Sequence, residues 1–158
     1  MINLIEKSKN DKKMCDKLEQ YLPDEFAAEG CSYHIQQAIE KQLKAYILFN
    51  GYYFEKTHDI SKLLKIIRDN DIDFETELSY KIEDMADTLT LWEASSRYDP
   101  FVSFSERKYS KAKEIYDSLS SVLKTCLSQS VADERGQYCN KDDVDDDIIL
   151  NSQTDSRK

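Results

Sequence analysis

A row of polar side chains recurs at intervals of three and four residues in the segment 34–44. His34, Gln37, Lys41 and Lys44 therefore share one face of a predicted helix, opposite its apolar residues. The two lysines are suited to hold an anion such as a phosphate. The same spacing also fits a solvated face, on which the pairs Gln37–Lys41 and Glu40–Lys44 stabilise the helix. Both interpretations are open on this pattern alone.

His58 and the dipeptide Arg97-Tyr98 extend the set of candidate ligand-binding residues. His58 stands near a predicted helix start, where it is suited either to donate to a nucleotide or to satisfy a turn. Arg97 offers a two-pronged guanidinium for a phosphate, and Tyr98 offers a ring for a base. The alternative for this dipeptide is a structural role in capping and packing. The residues predicted to bind a ligand are Lys41, Lys44, His58, Arg97 and Tyr98.

Other kinds of site find little support. The acidic run 142–147 fails as a calcium loop, because Ile148 stands where the turn glycine belongs and Thr154 where the bidentate glutamate belongs. The three glycines are too far apart to form one phosphate-binding loop. The four cysteines have no short paired spacing, which argues against a zinc site and a disulfide framework. We therefore expect no metal and no cofactor.

Composition favours helices. The 158-residue chain has only three glycines and two prolines, so it has few turn residues with which to build a sheet. Its length suits one domain. A net charge of −9 disfavours broad, non-specific binding to a phosphate backbone. Because we find no apolar run long enough for a signal peptide or a membrane span, we expect a cytoplasmic protein that does not bind membranes.

Hydrophobic spacing predicts five helices, which must position these candidate residues. The second predicted helix is the clearest. It has Pro23 in its first turn and ends at the pair Asn50-Gly51. The third takes Thr57 or Asp59 as its N-cap. In chain order the predicted helices cover about residues 3–21, 23–50, 57–70, 74–94 and 105–128.

The last segment of the chain differs from the rest. Residues 130–158 hold four basic and eight acidic residues, and their apolar content collapses apart from the run 148–150. Such a segment cannot bury enough apolar surface to offset the entropy of ordering it. The sequence therefore predicts an all-α, up-and-down bundle of four to five helices over residues 1–129, followed by a disordered acidic tail over 130–158.

Three stretches together resemble the HEPN family, the higher eukaryotes and prokaryotes nucleotide-binding domain. The first is the helical run 33–46, which contains the sequences Gln-Gln-Ala and Glu-Lys. The others are the run 56–64, which contains Thr-His-Asp-Ile, and Ser96-Arg97-Tyr98 before the last helix. Their order and spacing resemble those of the family over about residues 1–128. The family's Arg-Tyr-Pro is here Arg97-Tyr98-Asp99-Pro100.

The resemblance implies a bundle of four or five helices, usually a homodimer, found with minimal nucleotidyltransferases in toxin–antitoxin and defence operons. Many members are metal-independent ribonucleases, in which an Arg is followed after four to six residues by a His. Here both histidines, His34 and His58, precede the first arginine, Arg68. The linear ribonuclease motif is therefore absent.

These observations favour a non-catalytic HEPN domain that dimerises and binds a nucleotide, a nucleotidyltransferase partner, or both. One alternative is an RNA-cleaving toxin in which His58 and Arg97 meet in space despite their reversed order. Another is a structural interaction module whose acidic tail docks a basic partner. Enzymatic activity stays open between these hypotheses, and the absent motif weighs against it.

Overall fold

The computed structural model describes the backbone of residues 1–98 and 104–139, and the side chains of residues 1–94 and 104–129. Within these ranges the secondary structure is helical, with no strand, which confirms the all-α prediction. The helices are α1 (Ile2–Glu19), α2 (Glu25–Phe49), α3 (Ile60–Asp69), α4 (Thr76–Tyr98) and α5 (Glu106–Cys139). Residues Met1–Leu123 form one unit of contacts, which holds the candidate site, and a second begins at Lys124.

Two aspartate side chains cap the starts of α2 and α3, and a glycine follows the end of α2. The Asp24 carboxylate accepts a hydrogen bond from a first-turn N–H of α2 at 3.0 Å, so Pro23 precedes the helix and does not lie in its first turn. Asp59 caps α3 in the same way at 3.2 Å, as one of the two predicted candidates. After α2, Gly51 adopts a φ of 82°, the left-handed conformation predicted for it.

The last two helices are longer than predicted. α4 continues to Tyr98, so the backbone of Arg97 is helical and not part of a loop. α5 continues to Cys139 instead of ending near Ser128. Extending an existing helix fixes one residue for each new hydrogen bond, and neither extension contains a proline. The Arg97 and Tyr98 side chains lie outside the described residues, and so does the part of the predicted tail (130–158) from residue 140 onward.

α2 is the central helix of the first unit. It packs against α1, α3 and α4, and its Gln42 donates to Ser120 of α5 at 2.5 Å. The apolar residues at the predicted helical spacing, such as Ile35, Ile39 and Leu43, are buried, whereas Phe26 in the first turn is exposed. Polar residues on the other faces of the helix are buried as well. The buried polar residues of α2 are Ser32, Gln36, Gln37, Glu40, Gln42 and Lys44. Of the two interpretations of the polar face, the solvated one is correct in its pairs Gln37–Lys41 and Glu40–Lys44 but not in its solvation, because neighbouring elements cover most of the face.

α1 runs antiparallel to α2. Near one end of this contact the Ser8 hydroxyl donates to the Ala38 carbonyl at 2.8 Å. Near the other end, a Cβ atom on Gly30 would lie 2.6 Å from a methyl carbon of Leu18. The absence of a side chain at Gly30 thus lets the two helices approach closely.

The connection between α2 and α3 turns back along α2. This path brings His58, just before α3, beside Glu40 in the middle of α2. Beyond the other end of α3, the Tyr46 hydroxyl of α2 donates to the Asp73 carbonyl. α3 therefore runs in the same direction as α2. Among the described residues, no helix combines the length and the apolar character needed to cross a bilayer.

Candidate functional site

Glu40 is the centre of a buried polar cluster on α2. Its side chain is 3% exposed, and its Oε1 accepts from the Lys44 ammonium at 2.7 Å. Its Oε2 accepts from the Gln36 amide at 2.8 Å and lies 3.2 Å from Nδ1 of His58. Lys44 also donates to the Thr57 carbonyl at 2.6 Å. Both oxygens of this buried carboxylate therefore have hydrogen-bonding partners within the protein.

His58 is the open end of this cluster. Its side chain is 43% exposed, whereas that of Glu40 behind it is almost fully buried. The contact through Nδ1 fixes the orientation of the ring and leaves Nε2 without a partner among the described side chains. With Nδ1–H donated to the carboxylate, Nε2 accepts a hydrogen bond when the ring is neutral and donates one when it is protonated.

Lys44 lies inside the protein. Its side chain is 11% exposed, and its ammonium sits 5.3 Å from the centroid of the Phe54 ring. Together with the contacts to Glu40 and Thr57, this surrounds the charge with protein groups. An anion that approached Lys44 would have to compete with the Glu40 carboxylate, so Lys44 contributes to the site mainly by holding Glu40 and the connection in place.

A second cluster forms where Asp11 of α1 meets α2. One Asp11 oxygen lies 3.0 Å from Nδ1 of His34, and the other accepts from Lys41 at 2.5 Å. Burial opposes ionisation of this carboxyl, but the hydrogen bonds from His34 and Lys41 outweigh that effect. The pKa of Asp11 therefore lies below its usual value. Lys41, like Lys44, is already paired with a carboxylate.

Two glutamine side chains join the clusters. Lys41 donates to Oε1 of Gln37 at 3.0 Å, and the Gln37 amide donates to Oε1 of Gln36 at 2.8 Å. Gln36 donates in turn to Glu40. An uninterrupted chain of side-chain hydrogen bonds thus links His34 to His58 through the interior. We call these eight residues the polar network: Asp11, His34, Gln36, Gln37, Glu40, Lys41, Lys44 and His58.

The sequence pattern pointed to six of the eight members of this network, Glu40 only as the helix partner of Lys44, and gave no role to Gln36 or Asp11. His34, Gln37, Lys41 and Lys44 share the predicted helical face, but Asp11 belongs to another helix, 30 positions before Lys41. Nothing in the local spacing around Asp11 distinguishes it from the other charged residues of α1. Its role follows only from the antiparallel packing of α1 on α2.

The remaining candidates, Arg97 and Tyr98, can be placed only by their backbone. The N–H of Ile60, at the start of α3, donates to the Thr90 hydroxyl of α4 at 3.3 Å. Seven residues of helix, about 10 Å, separate Thr90 from Arg97. α4 runs antiparallel to α3, so its last two turns extend beyond the N-terminal end of α3. His58 precedes α3 at that same end.

Two buried cysteines form a separate polar contact between α1 and α2. The Cys15 thiol lies 3.6 Å from the Cys31 carbonyl, and the Cys31 thiol lies 3.8 Å from the Cys15 carbonyl. Burial raises the pKa of Cys15 to about 12 and also raises that of Cys31. Thiols in this state are poor nucleophiles, so the pair belongs to the core and not to a reactive site.

The helical unit and its polar network define a class of domain, an all-α bundle in which a buried carboxylate holds a partly exposed histidine. A sequence model of the HEPN domain matches residues 4–129. The chain therefore belongs to the HEPN family, which supports a nucleotide- or RNA-related function in general. No curated protein matches the chain significantly. The same holds for solved structures.

Proposed function

We propose that this chain is a non-catalytic HEPN domain that binds a nucleotide through His58. The observation that carries the proposal is the 3.2 Å contact between Glu40 and His58. A buried carboxylate there orients an imidazole whose side chain is 43% exposed and whose second nitrogen has no partner among the described side chains. Such a preorganised ring is suited to a phosphate oxygen or a base edge.

Charge compensation favours a small nucleotide over a long RNA strand. Lys41 and Lys44 are paired with Asp11 and Glu40, so neither presents an unneutralised charge along the network. Affinity for an extended phosphate backbone comes mainly from cations that replace its counterions. The proposal assigns base stacking to Tyr53, which stands five positions before His58 in the chain and is 87% exposed.

Titration calorimetry of the full chain with AMP, ADP, ATP and GTP tests this proposal. We expect His58→Ala to weaken binding by at least about tenfold, the cost of losing one hydrogen bond to a charged group. His34→Ala is the matched control, because it removes the other imidazole of the same network. Absence of both heat and thermal stabilisation with every nucleotide would refute binding. Equal weakening by the control would place the ligand elsewhere.

The proposal includes a homodimer and a minimal nucleotidyltransferase as protein partner, in a cytoplasmic toxin–antitoxin or defence system. The support for both is family membership together with the three sequence motifs around residues 33–46, 56–64 and 96–98. Light scattering of the purified chain tests the dimer, and a monomeric mass would contradict it. Co-expression with a small nucleotidyltransferase encoded beside the gene tests the partner. The two proteins are expected to co-elute.

A second candidate function, RNA cleavage by His58 and Arg97, draws support from the contact between Ile60 and Thr90. That contact directs the end of α4, and with it the backbone of Arg97, toward the side of His58. An acid–base pair would need both side chains within hydrogen-bonding reach of one phosphate. We expect no cleavage of single-stranded RNA by the purified chain. Cleavage that disappears in both His58→Ala and Arg97→Ala would replace the non-catalytic proposal with this one.

A further inference from the structure

A cleft of about 540 Å³ opens where α3 ends and α4 begins. Its floor is apolar, formed by Ile67 and Ile72, which are buried, and by Phe74, which is partly buried. The Tyr80 ring lines one side and is 67% exposed. The lining residues all fall within the segment 67–83, so the cleft is separate from the polar network around Glu40.

The lining of the cleft holds more acidic than basic side chains. The acidic ones are Asp71, Asp73 and Glu83. Arg68, the cation that lines the cleft, is already paired with Glu83. Asp71 and Asp73 also line it, and neither has an ion-pair partner in the part of the chain that the structure describes. The C-terminal end of α3 adds the partial negative charge of its last carbonyl groups.

We propose that this cleft binds an arginine or lysine side chain from a basic segment of a partner protein. The aliphatic stem of such a side chain packs on Ile67 and Ile72, while its charged end reaches Asp71 and Asp73. The exposed Tyr80 ring offers a face for the same cation. A nucleotide is excluded here by repulsion between its phosphates and the unpaired carboxylates. The chain thus has two faces of opposite preference, one for an anion at His58 and one for a cation.

Fluorescence anisotropy with a labelled hexa-arginine peptide and the full chain tests the inference. We expect saturable binding that weakens by roughly fivefold in the double variant Asp71→Asn and Asp73→Asn, because the two exposed carboxylates that meet the cation both lose their charge. Asparagine tolerates the positive φ of 49° at position 71, so the backbone is preserved. The matched control replaces two exposed carboxylates outside the cleft, Glu29→Gln and Asp87→Asn, and leaves affinity unchanged.

Tyr80→Ala supplies a second variant and is expected to weaken binding without loss of helicity. In the unaltered chain, the peptide should shift the backbone NMR signals of Ile72 and Tyr80. Absence of saturable binding, equal weakening in the control pair, or NMR shifts confined to other parts of the chain would each overturn the proposal. Displacement of the peptide by spermidine at an equal concentration of charge would also overturn it, because the cleft would then select small polycations.

Discussion

Nδ1 of His58 lies 3.2 Å from Oε2 of Glu40, although the two residues are 18 positions apart. The contact exists because the chain turns at Gly51 and runs back along α2 before α3 begins. A Lys44 hydrogen bond to the Thr57 carbonyl holds the returning segment. The partly exposed imidazole therefore contacts a carboxylate that is itself fixed within the core.

Replacement of Glu40 with alanine is expected to destabilise the fold. The variant leaves the buried Lys44 ammonium without its counter-charge, which costs about 3–5 kcal/mol of unfolding free energy. Glu40→Gln retains a hydrogen-bonding group, so its unfolding free energy should lie between those of the wild type and Glu40→Ala. Urea unfolding measures these differences. The control is Glu6→Ala, which removes an ion pair that is more than half exposed and should cause little loss. Equal stability of Glu40→Ala and Glu6→Ala would contradict the buried cluster.

The Asp11 cluster predicts an acid-dependent contribution to stability. Folding lowers the pKa of Asp11, whose usual value of 3.8 applies to the unfolded chain. As pH falls, the unfolded chain therefore binds a proton at Asp11 before the folded chain does. The stabilisation is thus complete above that pH and disappears as pH falls through the lower, folded-state pKa.

The stability difference between the wild type and Asp11→Asn should accordingly be large at neutral pH and shrink below pH 3.8. Urea midpoints measured across this range provide the test. Glu29→Gln, at an exposed position, serves as the control and should show no such convergence. A difference for Asp11→Asn that stays constant down to the lowest pH would show that the carboxylate is not stabilised by His34 and Lys41.

Replacement of a buried leucine by alanine should lower the unfolding free energy far more than replacement of an exposed one. Leu43 of α2 is 0% exposed, so Leu43→Ala removes buried methyl groups and leaves a cavity, at a cost of about 2–5 kcal/mol. Leu91 of α4 is 55% exposed, and Leu91→Ala should change the unfolding free energy by less than about 0.5 kcal/mol. Thermal and urea unfolding measure both. Similar losses for the two variants would contradict the central position of α2.

The cysteines should react in an order set by burial. Cys15 is fully buried and its pKa is raised to about 12, whereas Cys126 is only partly buried. Alkylation of the native protein, followed by peptide mass spectrometry, should label Cys126 well before Cys15. Unfolding in urea should remove the difference. Rapid native labelling of Cys15 would indicate that α1 separates from α2 in solution.

Most of the helical framework could be predicted from local sequence. The apolar spacing around Leu43 and Ile60 predicts α2 and α3, and the pair Asn50-Gly51 and Asp59 mark their ends as the structure has them. Local signals sufficed because caps and helical periodicity act within a few residues. The ends of α4 and α5 were less predictable, since a helix can extend through polar residues wherever no residue stops it.

The sequence by itself therefore determined the fold class, the central helix and the absence of an Arg-then-His motif. The tertiary structure decided what the polar face of α2 does. Periodicity places Lys41 and Lys44 on one face, but it cannot tell whether water, Asp11 or Glu40 meets their charges. That outcome depends on how α1 packs on α2 and on the return of the 51–58 segment, and so on contacts between residues distant in the chain.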